Sequence, residues 1–155
     1  MGNIYCFDTS AFIESWWRLY RPSSFPTFWA KMEGAVEGGE IIAPMFVLEE
    51  LERKEGDQLY VWAKNQMSMF HPLDAELQLA QKNIVNKYPR LISEAKNRSL
   101  CDPWVIALAQ IRSCTVISEE NRGGNRTPKI PDVCEDLKIK CMKIADFIEE
   151  LGWKF

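Results

Sequence analysis

The stretch Ser99–Glu120 (SLCDPWVIALAQIRSCTVISEE) constrains this chain most, because it reads as a helix followed by a strand with an acid at each far end. Asp102 takes the N-cap position and Pro103 the first helical position, a strong start signal. Trp104, Val105, Leu108 and Ile111 follow at i, i+1, i+4, i+7 spacing and form one apolar face. Ser113 breaks that pattern, and Cys114–Ile117 is a short β-branched run of the kind found in buried parallel strands. Roughly ten helical residues climb about 15 Å, and four or five strand residues cover about the same distance in return. A chain that turns back here brings Asp102 and Glu120 to the same crevice.

The same alternation runs through the rest of the chain. Asn3–Phe7 is a short apolar strand ending at Asp8, with a helix over Ala11–Leu19. An acid at the carboxyl end of a central strand is where open α/β sheets place ligands; equally, Asp8 reads as a plain helix cap. A turn at Arg21–Pro26 leads to a helix over Thr27–Glu37, closed by Gly38 and Gly39. Ile41–Ala43 is a second strand, stopped by Pro44, and MFVLEELER then opens an acidic helix in which at most one glutamate points inward. Further helices are expected over Gln58–Gln66, Leu73–Lys87, Arg90–Asn97, Pro131–Leu137 and Ala145–Leu151, and strands over Met67–Phe70 and Lys140–Met142. About five short strands alternating with helices imply right-handed crossovers and an α/β/α sandwich around a mainly parallel sheet.

A chain of 155 residues, 46% apolar, is read as a single domain spanning 1–155. Its net charge of −3 argues against a generic nucleic-acid coat protein but not against a nucleic-acid enzyme, since a metal inverts the field at an acidic site. Five cysteines without a C-x-x-C pair indicate neither a disulfide framework nor a zinc knuckle, and suit reduced, buried thiols in the cytoplasm. No leader peptide and no membrane span are expected. The sole histidine, His71, precedes proline and joins no hydrolase triad.

Asp8, Asp102 and Glu120 therefore mark strand ends or adjacent helix starts, and the helix with Glu49 and Glu50 supplies a fourth acid. Carboxylates gathered within about 4–6 Å raise one another's pKa values. No lysine or arginine is expected at these strand ends, so a divalent cation is the natural neutraliser, and all-oxygen ligands select Mg²⁺ or Mn²⁺. Such a site activates water for attack on a phosphodiester.

FDTSAFI (Phe7–Ile13), IIAPMFVLEEL (Ile41–Leu51), CDPWVIALA (Cys101–Ala109) and TVISEE (Thr115–Glu120) resemble, in order, the four motifs of PIN-domain nucleases. KIPDVCEDLKIKC and the terminal GWKF extend the likeness to a PIN-like subfamily of bacterial and archaeal proteins, so it covers essentially the whole chain. The resemblance implies a PIN-like three-layer fold and a metal-dependent endoribonuclease for single-stranded RNA, often the toxin of a VapC-type toxin–antitoxin pair. It implies Asp8, Glu50, Asp102 and Glu120 as catalytic metal ligands; Glu50 is selected over Glu49 because the motif's acid directly precedes leucine. Ser10 and Ser118 would hydrogen-bond the carboxylates, and Glu119 would assist or replace Glu120. Ser118 stands where the motif usually has threonine, and Glu120 where it often has Asp.

Arg122, Arg126 and Lys129 lie in the glycine-rich stretch after Glu120 and are candidates to hold RNA phosphates; an ordinary solvated loop is the alternative. Trp16, Trp17, Arg18, Tyr20 and Arg21 interleave aromatic and basic groups and are read as core plus an interface for a homodimer or an antitoxin. The main competing function is a non-catalytic PIN-like module that binds RNA or protein. A phosphoryl-accepting receiver domain would want a lysine at a late strand end, which is not found.

Overall fold

A computed structural model describes residues 2–55, 58–93, 101–124 and 128–155. Its elements run β1 (Tyr5–Phe7), α1 (Thr9–Glu14) continuing as a π-helical segment (Ser15–Leu19), α2 (Pro26–Glu37), β2 (Ile41–Pro44), α3 (Met45–Glu55) and α4 (Gln58–Lys64). A 3₁₀ turn (Met67–Met69), β3 (Phe70–His71), α5 (Ala75–Lys87) and α6 (Arg90–Ser93) follow. The last elements are α7 (Asp102–Arg112), β4 (Thr115–Ile117), α8 (Ile130–Leu137), β5 (Cys141–Met142) and α9 (Ile144–Leu151).

Among the described residues the strands form one five-stranded sheet in the order β3–β2–β1–β4–β5, with every pairing parallel. Tyr5 stands opposite both Ile41 and Thr115, so β1 is the central strand. The chain leaves β1 toward β2 and β3, then returns on the other side through β4 and β5. The topological switch therefore lies between β1 and β4, where open α/β sheets leave a crevice beyond the strand carboxyl ends.

The period of two along β1 sorts the layers. Tyr5 and Phe7 meet Phe147 of α9 at 4.9 and 5.1 Å between ring centroids, and Phe7 also meets Phe12 of α1 at 5.0 Å. Cys6 points the other way, and its thiol lies 3.6 Å from the Val105 carbonyl oxygen of α7. Helices thus cover both faces, and strands buried on both sides read as continuous apolar runs rather than alternating ones.

Several boundaries differ from the sequence reading. Asp102 is the first helical residue rather than the cap; Cys101 takes that place. Met67–Met69 is a 3₁₀ turn, with the strand confined to Phe70–His71. Pro44 closes β2 from inside, where its missing N–H breaks no interior ladder bond. α5 starts at Ala75 because Asp74 accepts a hydrogen bond from Leu77 N at 2.8 Å, which leaves Leu73 outside the helix. Of the predicted helix Arg90–Asn97, residues 94–97 lie outside the described residues.

Trp16, Trp29 and Trp62 form an aromatic cluster, whereas Trp17 is exposed. Trp153 docks against Phe28 and Phe147. All five cysteines are unbridged. Among the described residues no helix is long and apolar enough to cross a membrane.

Candidate metal centre

Four segments deliver acids to the crevice at the β1/β4 switch. Asp8 directly follows β1, and Glu120 follows β4 by three residues. Asp102 opens α7, which runs back antiparallel to the strands. Its carboxylate therefore sits at the positive end of a helix dipole. Glu50 lies on α3, in the turn next to buried Val47 and Leu51.

Carboxylate oxygens of Asp8, Asp102 and Glu120 lie within 4.8 Å of one another. Glu50 stands outside that group of three but is as buried as Asp8, at 1% exposure, and its charge acts on Asp8. Burial pushes the Asp8 carboxyl up to about 7; the charges of Glu120 and Glu50 add to this, against the hydrogen bonds of Ser10 and Ser118. The expectation that no lysine or arginine stands at the strand ends says nothing of the helices, and α3 brings one near. Lys54 Nζ comes within 4.0 Å of Glu50 Oε2, because i and i+4 share a helix face. That lysine is half-exposed and pairs with Glu50, and the charges of Glu120 and Glu50 still act on Asp8.

Asp8 occupies the N-cap position of α1 without capping it: its side chain makes no cap hydrogen bond. Instead Oδ2 accepts from Ser10 Oγ at 2.6 Å and from Ser118 Oγ at 3.0 Å. Each hydroxyl has one proton, and both protons are committed to Asp8. Each then accepts a backbone amide: Glu119 N to Ser10 Oγ at 3.0 Å, and Glu120 N to Ser118 Oγ at 3.1 Å. The network clamps the end of β4 to the end of β1. It leaves Asp8 Oδ1 buried and without a hydrogen-bond partner, as is Glu50 Oε1. Buried bare carboxylate oxygens are costly unless something positive meets them. An all-oxygen donor set whose members include carboxylates with such oxygens fits a small hard divalent cation.

The adjacent acids Glu119 and Glu120 separate cleanly. Glu119 Oε2 accepts from Ile144 N at 2.8 Å, at the start of α9. Glu120 enters the carboxylate group, with Oε1 also accepting from Ile130 N at 3.2 Å. Arg122 is paired with Glu135, and lies 3.9 Å from Asp132, while lining the same cleft of about 320 Å³ as Ser118 and Glu120. The Lys129 backbone amide donates to Asp132 at 2.9 Å. Arg126 lies outside the described residues. Two groups escaped the sequence reading: Lys54, legible only as an i+4 partner once Glu50 is chosen, and Asp132, whose carboxylate ties the Gly123 and Lys129 amides together at the start of α8.

A family model described as "Domain of unknown function (DUF4411)" matches residues 5–155. No curated protein matches the sequence. Among solved structures, the chain is similar to one in the crystal structure of VapBC2 from Rickettsia felis bound to a DNA fragment from their promoter, with TM-score 0.56, 11% identity, and 90% of this chain and 98% of that chain covered. It is also similar to a chain of FitAcB from Neisseria gonorrhoeae, with TM-score 0.54, 12% identity, and coverage of 90% and 96%. At these identities the likeness establishes the PIN-like α/β/α fold.

Proposed function

Since the chain belongs to the family described as "Domain of unknown function (DUF4411)" and has a PIN-like fold, we propose that it is a Mg²⁺- or Mn²⁺-dependent endoribonuclease that hydrolyses phosphodiester bonds in single-stranded RNA. One observation carries this: Asp8, Asp102 and Glu120 bring carboxylate oxygens within 4.8 Å of one another, and Asp8 keeps one buried oxygen that no hydrogen-bond donor among the described residues meets.

Asp8, Asp102 and Glu120 would hold the cation, with Glu50 completing the set directly or through water. When bound, the cation neutralises the carboxylates and a phosphate oxygen and activates the hydrolytic water. The chain supplies the rest. Ser10 and Ser118 both donate to one oxygen of Asp8, so its other oxygen stays available as a ligand. Glu119, fixed to the start of α9, holds the backbone from which Glu120 projects. Lys54, beside Glu50, balances charge at the rim. Lys129 and Arg126 are the loop cations proposed to grip flanking phosphates.

RNA cleavage with Mn²⁺ against EDTA tests the proposal, comparing wild type with Asp8→Asn and Asp102→Asn. Undiminished cutting by both variants ends it. Thermal melting with Mn²⁺ separates it from a non-catalytic binding module: a cation held by the native state must raise the melting temperature by mass action. We extend the proposal to a cytoplasmic homodimer acting as the toxin of a toxin–antitoxin pair, supported by the likeness to chains of VapBC2 and FitAcB. Co-purification of the chain with the product of a small adjacent reading frame tests the pairing.

A further inference from the structure

A groove of about 520 Å³, sharing no lining residue with the Glu120 cleft, is lined by Phe46, Glu49, Glu52, Arg53, Cys101 and Trp104. Its walls belong to the two helices that carry Glu50 and Asp102. Phe46 precedes Glu50 by one helical turn, Cys101 directly precedes Asp102, and Trp104 follows it by two residues. Cys101 Sγ donates to the Phe46 carbonyl oxygen at 3.0 Å and ties the walls together. The Phe46 and Trp104 rings stack at 4.6 Å with an interplanar angle of 24°, and both are only half-buried. The rim groups Glu49, Glu52 and Arg53 are exposed.

We infer that this groove is a nucleobase subsite of the RNA strand, with guanine its best occupant. The inference rests on the ribonuclease reading for the strand but on separate residues for the base. A flat aromatic pair at the edge of a phosphate-cleaving centre is the surface on which an unpaired base stacks. The rim chemistry then sorts the bases. Carboxylates only accept and a guanidinium only donates. Guanine alone offers N1–H and N2–H₂ as paired donors on one edge and O6 and N7 as paired acceptors on another, matching a carboxylate and Arg53 respectively. Uracil sets carbonyls on both sides of its one N–H, and these repel a carboxylate. The volume suits one base with its sugar, within the ~300–1,000 Å³ usual for small-ligand sites.

Fluorescence anisotropy in EDTA with short single-stranded oligouridylates, each carrying one central guanosine, adenosine or cytidine or none, measures the subsite without cleavage. Wild type should bind the guanosine-bearing strand about tenfold more tightly than the uridine-only strand. Trp104→Leu should weaken binding of every strand about tenfold, and Trp104→Phe should recover most of it. Glu49→Gln with Glu52→Gln, both at exposed positions, should erase the guanosine preference, with the uridine-only strand binding more tightly once the repelling charges are gone. Wild-type affinity in Trp104→Leu, absence of any preference, or no RNA binding at all overturns the inference. So does Trp104-dependent binding of an arginine-rich peptide while the oligonucleotides ignore Trp104, since the groove would then seat a protein. Parallel assays in Mn²⁺ separate the two readings. Guanosine-selective binding without cutting removes the nuclease and keeps the subsite; metal-dependent cutting unaffected by the groove variants does the reverse.

Discussion

Asp8 and Glu50 are equally buried and held in opposite ways. Asp8 has one oxygen fixed by two serine hydroxyls, which are themselves fixed by two backbone amides. Glu50 has one oxygen without a hydrogen-bond partner and the other 4.0 Å from the end of a flexible lysine. The carboxylate at the sheet's switch point is thus fixed by hydrogen bonds, and the one on the neighbouring helix is held by burial and a distant lysine. The largest predicted effect follows from that contrast. Asp8→Asn and Asp102→Asn should each lower metal-dependent cleavage roughly 10³-fold, equivalent to about 4 kcal/mol of barrier. Glu50→Gln should cost about tenfold, because on the proposed reading Glu50 stands outside the group of three and a bridging water can take over its role. Single-turnover rates at saturating Mn²⁺ make the measurement, and equal losses at Asp8 and Glu50 would erase the distinction.

The same contrast has a signature in stability. The Asp8 carboxyl sits at about 7 in the folded protein, against an ordinary value of 3.8. Between those pH values the folded state keeps a proton that the unfolded state has lost, so stability falls as pH rises. The contribution is full below about pH 4, declines toward pH 7 and is flat above it; a shift of this size corresponds to at most a few kcal/mol. Through this group, metal-free wild type should therefore melt several degrees lower at pH 8 than at pH 5. Asp8→Asn should flatten the dependence and melt above wild type at pH 8 in EDTA. Added Mn²⁺ should invert the order, stabilising wild type and not the variant. Glu50→Gln should change the slope little, since Glu50 is the least of the causes acting on Asp8. A metal-free melt that rises with pH across this range for wild type alone would contradict the buried, proton-holding Asp8.

Ser10 and Ser118 probe the hydrogen-bonded half directly. Each single alanine variant should weaken Mn²⁺ binding about tenfold, within the range for groups that orient a ligand. The double variant should cost less than the sum, because the hydroxyls share one oxygen of Asp8 and lie 3.3 Å from each other. Calorimetric titration with Mn²⁺ reads both values. Strict additivity would mean that the two serines act on separate things.

The fold was legible because strands buried on both faces and helices with one apolar stripe leave different marks. NIYCF, IIAP and CTVI could be read without knowing their neighbours. What sequence spacing alone does not carry is closure between distant segments. Ser10 is a small polar residue after a strand until Ser118, from the far half of the chain, meets it at Asp8. The choice between Glu119 and Glu120 was undecidable for the same reason: only the position of α9 commits Glu119 to the Ile144 amide. Asp102 slipped by one position because a Cys–Asp–Pro sequence offers two consecutive places for a helix to start, and cap residues are the least determined. The sheet's edge strands were the weakest signal. β3 and β5 are two residues each, too short for any pattern, and β3 is held by its register against Ala43 and Pro44.

The smallest predicted effect concerns Arg122, which loop composition marks as a phosphate grip and the structure shows engaged elsewhere. Its guanidinium meets Glu135 and approaches Asp132, and all three side chains remain at least partly open to solvent. Exposed pairs of this kind contribute about 0–1 kcal/mol. Arg122→Ala should therefore change the KM for RNA by less than about threefold, the scale of an exposed charge pair, and leave the salt dependence of binding unaltered. Glu135→Ala is the sharper variant. It removes the strongest competitor for Arg122 beside a cleft that also contains Glu120, so RNA binding should tighten slightly and become more sensitive to salt, as an added phosphate contact requires. If instead Arg122→Ala alone raised KM tenfold, phosphate would already be drawing the guanidinium away from α8. The loop after Glu120 would then be part of the strand's track rather than a brace for the acid beside it.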